Sequence, residues 1–185
     1  VTSCTIHDVN YAANRCATVF CRDDSSGNEI THNTLYNSGV DVVSGIGTTI
    51  QIKYNEIYNG GLQGDDTGLL YSNDINAQGT EIAYNYFHDN FAVWGNSGET
   101  HGGNIGVYLD DGSRGFTVHH NVVWGVGTGI MMNTLKARPS HDHGIYNNTL
   151  ISYNEGITGA ELTNVIIRNN IANRQFHIFS NYENV

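Results

Sequence analysis

One six-residue pattern recurs through the chain: an apolar residue, two variable residues, an asparagine, one variable residue and a second apolar residue. Six copies follow one another at intervals of 21 to 36 residues. Periods of this size are typical of solenoids and other repeat arrays. A further copy near the N-terminus has Cys4 in the asparagine position, and the six asparagines are Asn33, Asn55, Asn85, Asn121, Asn148 and Asn169.

A glycine followed by a short apolar stretch comes after most of these motifs. Alternation along such a stretch puts Val107 and Leu109 on one face, and Ile130 and Met132 on the corresponding face one repeat later. The 24 asparagines, 22 glycines and single proline favour turns over long helices. We therefore predict that each repeat forms about three short strands and leaves no room for a helix. These strands are expected to stack on the strands of the next repeat.

The recurring asparagine has a physical explanation. A turn in each repeat buries backbone groups that the flanking strands do not pair, and an inward amide can both donate and accept hydrogen bonds there. Asparagine also tolerates the left-handed conformation that a sharp bend requires. We therefore expect these residues to form an internal ladder rather than to bind a ligand.

With these motifs the chain resembles the right-handed parallel β-helix superfamily of pectate lyases, polygalacturonases and other secreted polysaccharide-degrading enzymes. The resemblance covers about residues 1–175. It implies an all-β, right-handed parallel β-helix, or solenoid, of about six to seven coils with an internal Asn ladder. Residues 1–185 are expected to form a single β-helix domain, as a segment of a longer chain. The fold hosts lyases, hydrolases, adhesins and tailspikes, so it implies no single activity.

Two insertions, 62–67 and 92–104, precede the glycine–apolar stretch in successive repeats, so they are expected to be neighbours at one corner. The outward side chains of the adjoining strand are predicted to be Phe20, Asp41, Leu70, Tyr108, Met131 and Thr158. The stacking is expected to bring six side chains around one groove, in which Trp94 would be a platform for a sugar ring. These six residues are Asp41, Asp65, Asp66, Glu99, His101 and Tyr108.

The segments 110–114 and 133–143 are predicted to form the opposite bank of that groove. The polygalacturonase-like family carries, in order, Asn-x-Asp, Gly-Asp-Asp, Gly-His-Gly and Arg-x-Lys motifs. The order recurs here, but Asp41 is displaced from Asn37, the histidine motif lacks its first glycine, and the basic pair is reversed. The corresponding segments are Asn37–Asp41, Gly64-Asp65-Asp66, His101-Gly102 and Lys136-Ala-Arg138.

Glycoside hydrolysis needs one carboxylic acid to protonate the leaving oxygen and one carboxylate to attack or to activate water. Asp65 and Asp66 are the predicted acid and base, and Glu99 and Asp41 are further carboxylates of the site. His101 is expected to position groups or transfer a proton. Tyr108, Trp94, Lys136 and Arg138 are expected to bind substrate, the two basic residues through a substrate carboxylate. Acidic pairs are also ordinary turn residues.

No cofactor is predicted, although clustered aspartates could hold Ca²⁺, which takes several oxygen ligands. No other metal site is expected: the three cysteines and the histidines lack zinc-binding spacings. Cys4 and Cys21 are expected to behave as buried, small apolar residues.

The net charge of −10 disfavours nucleic acid and anionic membrane surfaces as partners. The leading hypothesis is a secreted, extracellular enzyme, or a fragment of one, that cleaves a polysaccharide. Hydrolase is slightly favoured over lyase, because a lyase must neutralise a uronate carboxylate and the chain has only 8 Lys and Arg. The alternative is a non-catalytic structural or adhesive solenoid module, for which end-to-end self-association through edge strands is possible.

Overall fold

A computed structural model describes residues 1–12, 16–22, 24–64, 66–90, 104–134 and 138–179. Within these ranges the chain forms strands β1 to β18 and no helix. None of the described segments is a helix long and apolar enough to cross a membrane. All described strand pairs are parallel, in a 12-stranded and a 6-stranded sheet. The prediction of an all-β chain with parallel strands is confirmed, and the arrangement is compatible with a solenoid.

The larger sheet contains two series of strands. The first series is β1 (Thr5–Val9), β4 (Thr34–Ser38), β7 (Glu56–Tyr58), β10 (Tyr86–His88), the start of β13 (Val122–Met132), the start of β15 (Thr149–Ala160) and β17 (Ile171–Ala172). The second is β2 (Ala17–Phe20), β5 (Asp41–Ser44), β8 (Gly68–Asn73), β11 (Ile105–Asp110), the ends of β13 and β15, and β18 (Phe176–Phe179). The long strands β13 and β15 join the two series, with register shifts between Trp124 and Thr128.

The 6-stranded sheet forms the third series. Its strands are β3 (Glu29–Thr31), β6 (Gln51–Lys53), β9 (Asn76–Ala83), β12 (Arg114–His119), β14 (Gly144–Tyr146) and β16 (Ile166–Arg168). The side chains enclosed by the three series form one apolar core, with members such as Ile52, Ile82, Phe87, Val107 and Ile130 fully buried. Every other side chain of a strand is therefore free to line the outer surface.

Side-chain amides link successive repeats where the third series turns into the first. Each amide nitrogen donates to the side-chain oxygen of the next asparagine at 2.9–3.1 Å, and the backbone N–H donates to the same oxygen. The row is Asn33, Asn55, Asn85, Asn121, Asn148 and Asn170. The last member differs from the prediction of Asn169, because the final motif is shifted by one residue.

The left-handed residue of this turn is also different from the expected one. It is the residue before each row asparagine, with φ between 52° and 58° at His32, Tyr54, Tyr84, His120, Asn147 and Asn169. The row asparagines keep ordinary negative φ, so their contribution is hydrogen bonding rather than backbone conformation.

The predicted outward row of the second series is partly wrong. Tyr71 pairs with Tyr108 and Ser44 pairs with Tyr71, so these residues occupy the positions predicted for Leu70 and Asp41. Leu70 lies in the apolar core. The predicted row assumed that Gly68 and Gly106 occupy equivalent positions in successive repeats. In the structure Gly68 lies opposite Ile105 instead. A shift of one residue moves a side chain to the other face of a strand.

All three cysteines are free thiols. Cys4 is exposed, which contradicts its predicted burial, although its backbone N–H donates to Asn33 as the repeat requires. Cys21 is partly buried against the core, and this burial raises the pKa of its thiol.

Candidate functional site

A second, smaller apolar cluster lies on the outer face of β8, β11 and β13. Its centre is the pair Tyr71 and Tyr108, whose rings meet edge to face at 5.2 Å between centroids. Ile105 and Met131 complete the cluster. Although both tyrosines face away from the main core, they are only 6% and 4% exposed. Outward-facing aromatic residues that are this buried form a packed surface of defined geometry rather than a simple solvated face.

The phenol groups of this pair bind two carboxylates. Tyr108 donates to Asp66 Oδ1 at 3.2 Å, and Tyr71 donates to Asp110 Oδ2 at 2.8 Å. Asp66 comes from the loop before β8, and Asp110 is the last residue of β11. The two carboxylates therefore approach one tyrosine pair from the two ends of the strands that carry it.

Asp110 is held by several donors. Besides Tyr71, the amide groups of Asn73 and Asn133 donate to it at 3.1 and 2.8 Å, and the backbone N–H of Asp111 donates at 3.0 Å. Hydrogen bonds from this many donors fix the orientation of a carboxylate. Asp110 is thus a fixed hydrogen-bond acceptor beside the tyrosine pair.

Asp111 follows directly and has a different environment. It is 8% exposed, and Arg138 donates to its Oδ2 at 3.3 Å. Burial is the main cause that raises the pKa of Asp111 above the usual aspartate range; the charges of Asp110 and Asp66 add to the rise and Arg138 opposes it. Neighbouring carboxyl groups whose environments differ in this way are the arrangement from which acid and base roles arise.

The electrostatics also define the state of Tyr108. Burial, followed by the charges of Asp110 and Asp66, raises the pKa of this phenol far above its usual range. Tyr108 is therefore a neutral hydrogen-bond donor at any working pH. Asp66, Asp110, Asp111, Tyr71 and Tyr108 together are called the carboxylate cluster below.

Two predicted site residues lie beside this cluster. Asp41 is 4% exposed, and its Oδ1 accepts the backbone N–H of Gly68 at 3.0 Å. This bond ties β5 to the start of β8, two residues after Asp66. Arg138 bonds Asp111 and also lies 3.7 Å from Asp74, which is 3.6 Å from Arg114.

The structure thus brings together two members of the predicted set, Asp66 and Tyr108, at hydrogen-bond distance. It places Asp41 and Arg138 on groups that adjoin them. The other predicted site residues lie outside the described residues and stay predictions: Asp65, Glu99, His101, Trp94 and Lys136.

The sequence interpretation missed Tyr71 as a site residue and treated Asp110 and Asp111 only as one bank of a groove. The available signal for Tyr71 was the alternative alignment that pairs it with Tyr108. For the aspartates no sequence signal separated a site from a turn, because Asp-Asp-Gly is ordinary turn chemistry and Gly112 has a φ of 71° there.

No group of three or more His, Cys, Asp or Glu side chains among the described residues is arranged to hold a metal ion. The carboxylates of the cluster are bonded to phenol, amide and guanidinium donors instead. The arrangement is therefore one of hydrogen-bonded carboxyl groups in differing environments. No model of a protein family, no curated protein and no solved structure matches this chain.

Proposed function

We propose that the protein is a secreted, extracellular carbohydrate-active enzyme that cleaves a polysaccharide at the carboxylate cluster, as a glycoside hydrolase rather than a lyase. We further propose that the fold is a right-handed parallel β-helix of about six to seven coils, in which the asparagine row is the internal ladder. The observation that carries the functional proposal is that Asp66 and Asp110 bond one buried tyrosine pair, while Asp111 follows Asp110 directly and has a raised pKa.

Asp111 is the proposed general acid. Burial and the neighbouring charges raise the pKa of Asp111, which favours the protonated form that a general acid needs. The leaving alcohol takes that proton as the bond to the anomeric carbon breaks. Asp66 is the proposed base or nucleophile, because Tyr108 donates to one of its oxygens and so orients the carboxylate. Asp110 holds the tyrosine and asparagine donors in place and stabilises positive charge that develops on the sugar.

The charges favour hydrolysis over elimination. A lyase needs cations that neutralise a uronate carboxylate, but Arg138 is bonded to Asp111 and lies near Asp74, and Arg114 also lies near Asp74. The net charge of −10 supports a polysaccharide partner over nucleic acid or a membrane surface. A secreted location accords with a substrate that lies outside cells.

The test is the release of reducing sugars, and of unsaturated uronates by absorbance, over a panel of neutral and acidic polysaccharides. Asp111→Asn and Asp66→Asn should each abolish turnover while the melting temperature stays within a few degrees of the unaltered protein. Asp8→Asn, an exposed aspartate with left-handed φ that asparagine tolerates, is the matched control and should keep full activity. Unaltered activity in both cluster variants would refute the assignment, and unsaturated products alone would replace hydrolase by lyase.

A non-catalytic structural or adhesive module is the second candidate, and one observation favours it. Strands β16, β17 and β18 carry exposed apolar side chains, with Ile171 70%, Ile166 57% and Ile178 46% exposed. Such side chains on edge strands suit end-to-end stacking with another copy. Concentration-dependent assembly in sedimentation velocity, together with no product from any glycan in the panel, would favour this module over the enzyme.

A further inference from the structure

A line of hydrogen-bonded polar side chains runs across four repeats on the outer face of the 6-stranded sheet, away from the carboxylate cluster. Lys53 Nζ lies 2.6 Å from Glu81 Oε2, and Glu81 Oε1 lies 2.6 Å from His119 Nε2. His119 Nδ1 then meets His120 Nδ1 at 2.7 Å, and His120 Nε2 meets the side-chain nitrogen of Asn147 at 3.3 Å. Glu81, His119 and His120 are called the imidazole relay below.

Strand register explains why these groups meet. Lys53, Ala83 and His119 lie side by side on β6, β9 and β12. Because the middle residue is only alanine, a gap remains between the lysine and the histidine, and the Glu81 side chain from the same strand fills it. His120 follows β12 with a φ of 52°, which swings its ring to the same side as His119 instead of the opposite face.

The direction of the relay follows from elementary hydrogen-bond chemistry. A carboxylate only accepts, so His119 must donate from Nε2. A neutral His119 then accepts at Nδ1, and His120 must donate from its own Nδ1. A neutral His120 is left with its lone pair on Nε2, and the Asn147 amide, which only donates, lies at that atom. Two independent ends of the line thus require the same pair of tautomers.

The charge on Glu81 supports the same polarity. Burial raises the pKa of Glu81, but the hydrogen bonds from Lys53 and His119 outweigh burial and hold that pKa below its usual range. Glu81 is therefore a permanent acceptor for His119. His119 is 7% exposed, and its ring stacks on Tyr146 at 5.0 Å, so its position is fixed.

The open end of the relay is at the surface. His120 is exposed, and its ring stacks on Tyr84 with 5.1 Å between centroids. Among the described residues, only the long contact from the Asn147 amide reaches the Nε2 lone pair. A base oriented by a second group, which is in turn oriented by a carboxylate, is the arrangement that activates water or a nucleophile in acyl transfer.

We infer that His120 is the general base of a second site, which hydrolyses uncharged carboxylic esters, with His119 and Glu81 as positioning residues. His120 Nε2 takes a proton from water as the water oxygen bonds to the ester carbonyl carbon. The bond from that carbon to the alkoxy oxygen then breaks, and the leaving alkoxide takes the proton from Nε2. The products are one carboxylic acid and one alcohol, and no oxidant or reductant is needed.

The surroundings select an uncharged acyl group. Lys53 and Glu81 carry opposite charges that neutralise each other. Lys53 is already bonded to Glu81, so this ammonium group is not available for a phosphate or sulfate. The other titratable groups that face the relay are Tyr54, Tyr84, Tyr146 and Arg168, the last lying over the Tyr146 ring at 5.2 Å. The three phenols provide apolar walls with polar edges.

The probe is p-nitrophenyl acetate, with release of p-nitrophenol measured across pH 5 to 9. His120→Asn, which suits the left-handed backbone, should lower the rate by about tenfold or more. The matched control is His141→Asn: His141 contacts the Asp142 carboxylate at 2.7 Å but has no second imidazole. It should leave the rate unchanged. Glu81→Gln should shift the pH profile as well as lower the rate.

Chemical rescue separates a catalytic from a structural role. His120→Gly keeps a residue that accepts positive φ, and added imidazole should restore its rate. The inference is overturned if His120→Asn retains the rate of the unaltered protein, or if His141→Asn loses as much. It is also overturned if imidazole stimulates the glycine variant no more than the unaltered protein. None of these outcomes bears on glycan cleavage at the carboxylate cluster.

Discussion

Asn121 provides the sharpest test of how the repeats are held together. Its side-chain oxygen accepts the backbone N–H of Asn85 at 3.0 Å and the amide of Asn85 at 3.1 Å. Its side-chain nitrogen donates to the Ile82 carbonyl at 2.9 Å and to Asn148 at 3.0 Å. Asn121→Ala therefore removes four hydrogen bonds from a side chain that is 1% exposed.

The cost follows from the groups that lose a partner. Two buried groups are left unsatisfied, namely the Asn85 N–H and one Asn85 amide hydrogen. Asn148 keeps a bond from the backbone N–H of residue 121, and the Ile82 carbonyl stays within the paired strands β9 and β12. At about 1 kcal/mol or more for each unsatisfied buried group, the free energy of unfolding should fall by about 2 kcal/mol. For a chain of this length that is roughly 4–8 °C in melting temperature.

Urea denaturation followed by circular dichroism measures the loss, with two comparison variants. Asn170→Ala removes a similar set of bonds at the partly buried end of the row, where water can replace them, and should cost about 1 kcal/mol. Asn76→Ala changes an exposed asparagine and should stay within about 0.5 kcal/mol. Equal losses at Asn121 and Asn76 would refute the reasoning that buried, unpaired amides set the stability of the stack.

Three further predictions rest on single residues. His143 is 2% exposed, and burial lowers its pKa from 6.5 to about 4. Its contribution to stability is therefore complete above pH 6.5 and is lost as the pH falls toward 4. In urea titrations over that pH range, the free energy of unfolding of the unaltered protein should fall by about 3 kcal/mol more than that of His143→Gln. In Gly68→Ala the new Cβ would lie 2.5 Å from the Leu70 carbonyl oxygen and 3.0 Å from Tyr108 Cβ. Thermal melting should therefore show that the free energy of unfolding falls by about 1–3 kcal/mol. Gly144→Ala, whose new Cβ would have its nearest contact at 3.4 Å, should be tolerated. Cys21 should react with a thiol reagent more slowly than the exposed Cys4 and Cys16, because burial raises its pKa; equal rates in a time course of mass spectra would contradict its packing against the core.

The repeat pattern was sufficient to predict strand class and strand direction, since turn-rich repeats with two apolar faces leave few other solutions. It also located five of the six asparagines that bond in series. It missed the sixth because Asn169 and Asn170 are adjacent, and only the three-dimensional register shows which amide points inward. The left-handed position had no clear signal either, because histidine and tyrosine occupy it at His32, Tyr54 and Tyr84.

The site was harder to predict than the fold. Asp66 was selected because it lies in an insertion, and Tyr108 because it was predicted to point outward from the adjoining strand; the two side chains meet at 3.2 Å. Tyr71 was missed because Gly68 of β8 and Gly106 of β11 are not in register, and a shift of one residue exchanges Leu70 for Tyr71 on the outer face. Asp111 carried no sequence signal, because its raised pKa depends on burial that a local Asp-Asp-Gly sequence does not determine.

The two proposed sites differ in how the strands hold them, and this difference decides how each responds to change. Tyr71 and Tyr108 lie on paired strands at 6% and 4% exposure, so their carboxylate partners are fixed by a packed cluster and respond to any change in register. His120 lies just after a strand and is exposed, and its position depends on one left-handed residue and a chain of hydrogen bonds. Polar chains of this kind are lost when any one member is replaced, whereas a packed cluster tolerates replacement of its outer members. Single polar substitutions should therefore disable the imidazole relay with little loss of stability, and changes of size at Tyr71 should affect stability and the carboxylate cluster together.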